Sequence, residues 1–395
     1  MILTPDHERK EETFYSPWRH DGGAWSVVDG IFDVPHLRRE AERFASAPVQ
    51  AIEIPDEVLS VLQGEVAAVQ PGDGPIALGS DSATTCHIVG FRNPASGRTC
   101  LAHLDSCNRL SEAIGCMLAR VSGHGGGGGG SGGDAPPPEQ VAAAEAEPLD
   151  LYIVGGYLGE TTAEDLSNAL LSELHASRKV FRLVLACMSR LNSVRPATVA
   201  GGTALPHPPR QAAAGKSGYA GGSADGHGRG GVDATSCGNE AHSGNPPAGA
   251  GQTSACAPAD TATKTQGKEA GVDSDSDRAG WLPRRTGLAI DLSSGRAFPV
   301  RFEGAARGAG WDLRHVRMCA GPRETPLAEF YDAPRDNIFV APFPLWANPS
   351  SLRHLIALSD RELLVFSSTS PDAEDERFVQ DMRSQFLYIL GRVGP

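Results

Sequence analysis

The sequence predicts an α/β fold of layered sheets flanked by helices. Three observations predict it. Short β-branched, apolar runs bounded by turn residues recur along the chain. Between two of them, residues 161–177 carry leucines at helical spacing, giving the order strand, helix, strand. The large apolar residues that could build a core thin out in two glycine-rich windows, so the core belongs to what remains.

The first strand pair comes from IALGSDSATTCHIVGF at 76–91. It reads as a strand at 76–79, a turn at 79–82 and a strand at 84–91. RTCLAHL at 98–104 is the next strand. NPASGR between them turns at Pro94 and Gly97, so 84–91 and 98–104 form a hairpin. Residues 107–120 place Leu110, Ile114, Met117 and Leu118 at helical spacing. LDLYIVGGY at 149–157 is an apolar strand closed by a Gly-Gly turn. Leu166, Leu170, Leu171 and Leu174 share a face of the next helix. Thr161 or Thr162 can cap it, and Glu164 and Asp165 suit its positive end. VFRLVLACM at 180–188 is a buried-type strand. After Trp281, hairpins follow at 286–302, turning at Ser294 and Gly295, and at 327–343. Phe378, Met382, Phe386 and Ile389 mark a last helix, with Ser370 as N-cap before Pro371.

The glycines separate fold from insert. Of 47, residues 121–148 hold 9 and residues 195–280 hold 17. The first window reads as a flexible Gly/Pro-rich linker. The second nearly lacks large apolar side chains and reads as disordered, because it cannot bury enough surface to offset ordering entropy. The reading is a single domain over 1–395, interrupted twice.

Composition excludes several functions. The net charge is −13, and −8 of it lies outside the two inserts. Nucleic acid needs a basic footprint, so it is not an expected partner. No run of about 18 apolar residues occurs, and no membrane span is expected. The charged N-terminus lacks the apolar core of a secretory signal. The eight cysteines form no CxxC pair, so no zinc site is indicated. They read as reduced thiols of a protein of the cytoplasm, with the nucleus as a second compartment. No metal or organic cofactor is expected. The lone Gly155–Gly156 pair lacks any phosphate-loop pattern and reads as a turn. Trp311 and Trp346 read as packing residues, with lining of a pocket as the alternative for either.

The chemistry candidates centre on Cys86. His103 lies 17 residues later on the partner strand, and adjacent antiparallel strands bring side chains within reach. An imidazole that takes the thiol proton makes cysteine a competent nucleophile. The imidazole needs a third group to orient it, and Ser80 in the preceding turn can supply it. His87, next to Cys86, faces the other side of a strand and is disfavoured as the base.

LGSDSATTCHIV at 78–89, followed by TCLAHLDS at 99–106, closely resembles the protein N-terminal asparagine amidohydrolases of animals and plants. VGGY at 154–157, FVAPF at 339–343 and STSPDAEDERFV at 368–379 fall in the order of that family. The resemblance covers most of the chain outside the inserts. It departs at Met1–Ile2, where many animal members begin Met-Pro, and at Pro395, beyond which family chains usually continue. It implies deamidation of N-terminal asparagine to aspartate with release of ammonia, feeding arginylation and ubiquitin-dependent degradation. It implies Cys86 as nucleophile and His103 as its partner. The substrate it implies carries a free N-terminal ammonium, which calls for a carboxylate. Asp81 is the first choice, and Asp105 the second, on His103's face by alternation. Either could instead bond turn backbone. It also implies a fold of β-sandwich-like sheets flanked by helices, similar to Cys-His deamidases of chemotaxis receptors and toxins. In the chemotaxis group a hydroxyl residue six before the cysteine completes the triad, which falls on Ser80. The implied partners are proteins or peptides with a free N-terminal Asn, met by a monomer. Two alternatives stay open: a deamidase of internal glutamine or asparagine, and a silent module that only binds N-termini.

Overall fold

The structure, a computed structural model, describes residues 2–5, 12–14, 31, 34–54, 57–122, 147–177, 179–195, 280–307, 310–320, 327–343, 348–374 and 377–393. All belong to one compact unit, Met1–Ala197 with Asp273–Pro395. The second unit, Thr198–Val272, lies outside the described residues. So do Trp346 and nearly all of both inserts, with the linker and disorder expected there.

The chain opens with β1 (Ile2–Pro5), β2 (Glu12–Phe14), α1 (Pro35–Ser46), β3 (Gln50–Ile52), β4 (Val58–Ser60) and β5 (Glu65–Val69). The motif-bearing strands are β6 (Ala77–Ser80), β7 (His87–Arg92) and β8 (Thr99–Leu104). Next come α2 (Leu110–Val121), β9 (Leu149–Gly155), α3 (Thr161–Ala176), β10 (Phe181–Met188) and β11 (Ser193–Val194). The second half supplies β12 (Leu282–Pro283), β13 (Leu288–Asp291), β14 (Ala297–Phe298), β15 (Val300–Phe302), α4 (Trp311–Ala320) and β16 (Ala328–Glu329). It ends with β17 (Tyr331–Asp332), β18 (Asn337–Ile338), α5 (Pro349–Ala357), α6 (Asp360–Ser367) and α7 (Phe378–Val393).

The fold is mixed α/β. An eight-stranded mixed sheet has the order β16-β5-β8-β7-β9-β10-β1-β2, and a four-stranded sheet the order β14-β13-β6-β4. Alternation along each strand assigns residues to layers. Ile88 on β7 and Leu101 on β8 face the four-stranded sheet and pack with its Leu78, Leu288 and Ile290. Val89, Phe91, Cys100 and Ala102 point the other way, onto Ile114 and Met117 of α2 and Leu166 and Leu170 of α3. The central strands are therefore buried on both faces, which explains their near-continuous apolar runs.

The expected hairpin of 84–91 with 98–104 is present, running from His87↔Leu104 to Arg92↔Thr99. β9 and β10 are parallel, joined through α3 as the strand, helix, strand order requires. Other expectations shift. The hairpin at 286–302 is limited to β13 and β14. Val300–Phe302 crosses over to pair in parallel with β3. The one at 327–343 splits, because β16 joins β5 and only β17 pairs with β18. Neither threonine caps α3; Glu160 occupies that position and its side chain makes no capping bond. Ser370 caps no long helix either. Pro371–Ala373 is a single 3-10 turn, and α7 starts at Phe378.

One charged cluster ties the C-terminal helices to the large sheet. Glu65 on β5 is fully buried and pairs with Arg314 and Arg317 of α4. Arg314 also donates to the Ser60 carbonyl and stacks 3.7 Å from the Phe330 ring centroid. Removing one member of such a cluster strands the other charges in a low-dielectric interior. Glu65→Leu should destabilise the protein by about 3–5 kcal/mol, read as a fall in the urea midpoint. An unchanged midpoint would show that the cluster contributes nothing net.

Candidate active site

Cys86 lies on the loop between β6 and β7, one residue before β7 begins, rather than inside the strand as the sequence suggests. The loop is tightly formed. Ser82 adopts left-handed φ 59°, and Ala83 N–H donates to the Thr286 carbonyl. Cys86 O accepts from Gly156 N–H at 3.0 Å. This contact explains the Gly-Gly pair. A Cβ on Gly155 would lie 2.2 Å from the Cys86 carbonyl oxygen, and one on Gly156 would lie 2.7 Å from the His87 ring. Both glycines also have positive φ, at 130° and 60°. The turn expected there is real, and its role is to let β9 approach the cysteine backbone.

His103 stands opposite Ile88, so its side chain enters the layer between the two sheets. There Ser80, the last residue of β6, meets it across the sheets. Ser80 Oγ and His103 Nδ1 are 2.8 Å apart, and both residues are buried. With Nδ1–H donating to Ser80, His103 Nε2 carries the lone pair. That nitrogen has no hydrogen-bond partner among the described residues. His103 and Cys86 line one cleft of about 300 Å³. Burial lowers the His103 pKa to about 4, with nearby Asp105 opposing the shift, so the imidazole is neutral at pH 7. His87 indeed points to the other face. Its Nε2 lies 2.8 Å from Ser167 Oγ on α3, and burial, with His103 adding, lowers its pKa to about 3.

The two substrate-binding candidates differ. Asp81 lines the cleft, its Oδ2 accepting from Phe302 N–H at 2.8 Å and its Oδ1 from the Ser82 hydroxyl at 3.3 Å. Asp105 falls just past the end of β8, where alternation stops. It accepts from Gln63 Nε2 at 2.9 Å and does not line the cleft.

The C-terminal part of the chain also lines the cleft, with Trp311 and His315 from α4, Ser368, Thr369 and Glu374 around the STSP string, and Asp381 on α7. Of these, sequence reasoning offers only Trp311, as an alternative to packing. The Trp311 and His315 ring centroids are 3.9 Å apart. The STSP string was the available signal; nothing in the spacing of Trp311 or Asp381 pointed to the cleft. Among the described residues there is no cluster of His, Cys, Asp or Glu that could hold a metal. No described helix is long and apolar enough to cross a membrane. Cys86, Cys100, Cys107, Cys116 and Cys187 are free thiols.

Two measurements check this geometry. Gly155→Ala should force the Cys86 backbone to move, lowering the urea midpoint and changing the rate at which iodoacetamide labels Cys86. Stability should also depend on acid. Between pH 6.5 and about 4 the unfolded chain protonates His87 and His103 while the folded chain does not, so stability falls as pH drops through that window. The upper bound is on the order of 3 kcal/mol per histidine. His87→Gln should flatten the slope of urea midpoint against pH; an unaltered slope contradicts the assignment.

A sequence profile described as protein N-terminal asparagine amidohydrolase matches residues 48–206 and 272–393. The mouse protein N-terminal asparagine amidohydrolase is 24% identical over 368 residues, covering 92% of this chain and 84% of its own. The human protein of that name is 23% identical over 374 residues, 94% of this chain and 86% of its own. The Arabidopsis thaliana protein of that name is 28% identical over 119 residues, 29% of this chain and 34% of its own. The profile spans well over half of the sequence, on both sides of the long insert and including Ser80, Cys86 and His103, and the chain belongs to the protein N-terminal asparagine amidohydrolase family.

Proposed function

We propose that this protein hydrolyses the side-chain amide of an N-terminal asparagine, giving aspartate and ammonia, with Cys86 as nucleophile. The observation that carries the reading is the neutral, Ser80-bound His103 sharing a cleft with Cys86. His103 Nε2 takes the thiol proton, and the sulfur attacks the asparagine carboxamide carbon. Backbone N–H groups of the loop before Cys86 hold the oxyanion. His103 returns the proton to the nitrogen, the C–N bond breaks, and ammonia leaves a thioester. Water then attacks the thioester while His103 accepts its proton, and the C–S bond breaks to release aspartate and the thiol. Ser80 keeps the imidazole oriented throughout.

The cleft suits a cationic terminus. Asp81, Glu374 and Asp381 line it, and no Lys or Arg does so among the described residues. Asp81 is the proposed partner of the α-ammonium. The sequence-level alternative, Asp105, has less support because it lies outside the lining. The aspartate product has the chemistry of a substrate for arginyl transfer, so the reading includes a place ahead of ubiquitin-dependent degradation. The free thiols support a reducing compartment such as cytoplasm or nucleus.

The test is ammonia release from an Asn-starting peptide, with aspartate appearing at residue 1. Cys86→Ala should abolish it. Ser80→Ala should lower kcat on the order of 10²-fold, and Asp81→Asn should mainly raise KM. Equal turnover of the N-acetylated peptide would instead favour a deamidase of internal amides. Binding without turnover would favour a silent module.

A further inference from the structure

Three of the strings that carry the family resemblance meet beside Cys86. Ser370, from STSP, is 2% exposed, and its hydroxyl donates to Thr84 Oγ1 at 2.9 Å. Tyr157, which closes VGGY, hydrogen-bonds the same Ser370 side chain. Glu374 Oε1 accepts from the Ser368 hydroxyl at 2.6 Å and lies 3.5 Å from Ser370 Oγ. Thr369 Oγ1 lies 3.1 Å from Thr85 Oγ1. Two consecutive threonines of the nucleophile loop are thus held by two consecutive hydroxyl residues more than 280 positions away.

Local folding does not account for Ser370. A serine before a proline-started turn commonly caps it, accepting from an N–H two or three residues on. Ser370 makes no such bond. Its hydroxyl is directed at the Cys86 loop instead, at a depth where an unmatched polar group is costly. The loop has no ladder partner between β6 and β7, so its side-chain bonds help fix where Cys86 sits.

We propose that Ser370 is a positioning residue for Cys86: with Tyr157 and Glu374 orienting its hydroxyl, it holds Thr84 and thereby sets the cysteine against His103. The proposal rests on the functional reading above for its kinetic consequence, but not for its effect on the thiol.

The full chain is compared with Ser370→Ala, Thr84→Val, Thr84→Ser and the Thr84→Val/Ser370→Ala double variant. Two readouts are taken on each: iodoacetamide labelling of Cys86 against pH, located by mass spectrometry, and kcat and KM on an Asn-starting peptide. Ser370→Ala and Thr84→Val should slow labelling near pH 7 and shift its pH profile upward. They should lower kcat on the order of 10- to 100-fold, with KM within about threefold. Thr84→Ser keeps the hydroxyl and should restore both readouts. The double variant should be no worse than either single one, since both break one linkage. A folded Ser370→Ala with the parental labelling profile overturns the proposal, whatever the peptide does. If the parent releases no ammonia, the functional reading falls and labelling alone decides the positioning role. Ser370→Ala removes a single oxygen, so it remains informative if Thr84→Val fails to fold.

Discussion

The hydrogen bond between Ser80 and His103 joins two sheets across a layer made mostly of apolar side chains. Ser80 ends a strand of the four-stranded sheet, and His103 lies within a strand of the eight-stranded one. Around them Leu78, Ile88, Leu101 and Ile290 are all fully buried. In that layer the Ser80 hydroxyl and His103 Nδ1 offset each other's burial, leaving Nε2 for the cleft. The packing fixes the distance, and the ladder registers fix the faces. Sliding β8 by one residue against β7 would turn His103 onto α2 and α3, out of the cleft. The same burial that makes the bond necessary keeps the imidazole neutral, the form that can accept a proton.

Cys86 is held differently. His103 sits on a strand, rigid by virtue of its sheet, whereas Cys86 sits on a loop. Several unrelated contacts replace the missing ladder: Gly156 N–H on the Cys86 carbonyl, Thr286 on Ala83, and the hydroxyl cluster at Thr84. Each comes from a different part of the chain. Catalytic groups commonly lie on loops positioned by rigid elements, and here the rigid elements press on the loop from several sides.

This division explains what was legible in the sequence. The central strands, with their apolar runs, were readable, and so was the hairpin of β7 with β8 that carries His103. His87 does point away from the cleft, toward Ser167 on α3, although Cys86 is not on the strand from which alternation was counted. Edge elements were not readable: Val300–Phe302 and Ala328–Glu329 are too short for a pattern, and their pairing with β3 and β5 is set by tertiary contact. Ser370 looked like a cap because sequence shows only neighbours along the chain, and Thr84 is no neighbour there. Glu65 gave no signal at all. A single acidic residue before an alanine-valine run reads as a surface position until Arg314 and Arg317 are brought to it.

That hidden cluster bears on the chemistry of the cleft. Ser60 lines the cleft, and its carbonyl accepts from the Arg314 guanidinium behind it. Two arginines so near would place positive charge behind the wall facing any ammonium-bearing substrate. Glu65 pairs with both, and Glu303 pairs with Arg377 next to Phe378 of the lining. With these cations matched, the charged side chains lining the cleft among the described residues are the carboxylates of Asp81, Glu374 and Asp381. A narrow, low-dielectric cleft strengthens the field of such groups compared with open solvent. The buried ion cluster therefore does more than join α4 to the large sheet: it removes the repulsion that the joining arginines would otherwise impose on a cationic N-terminus.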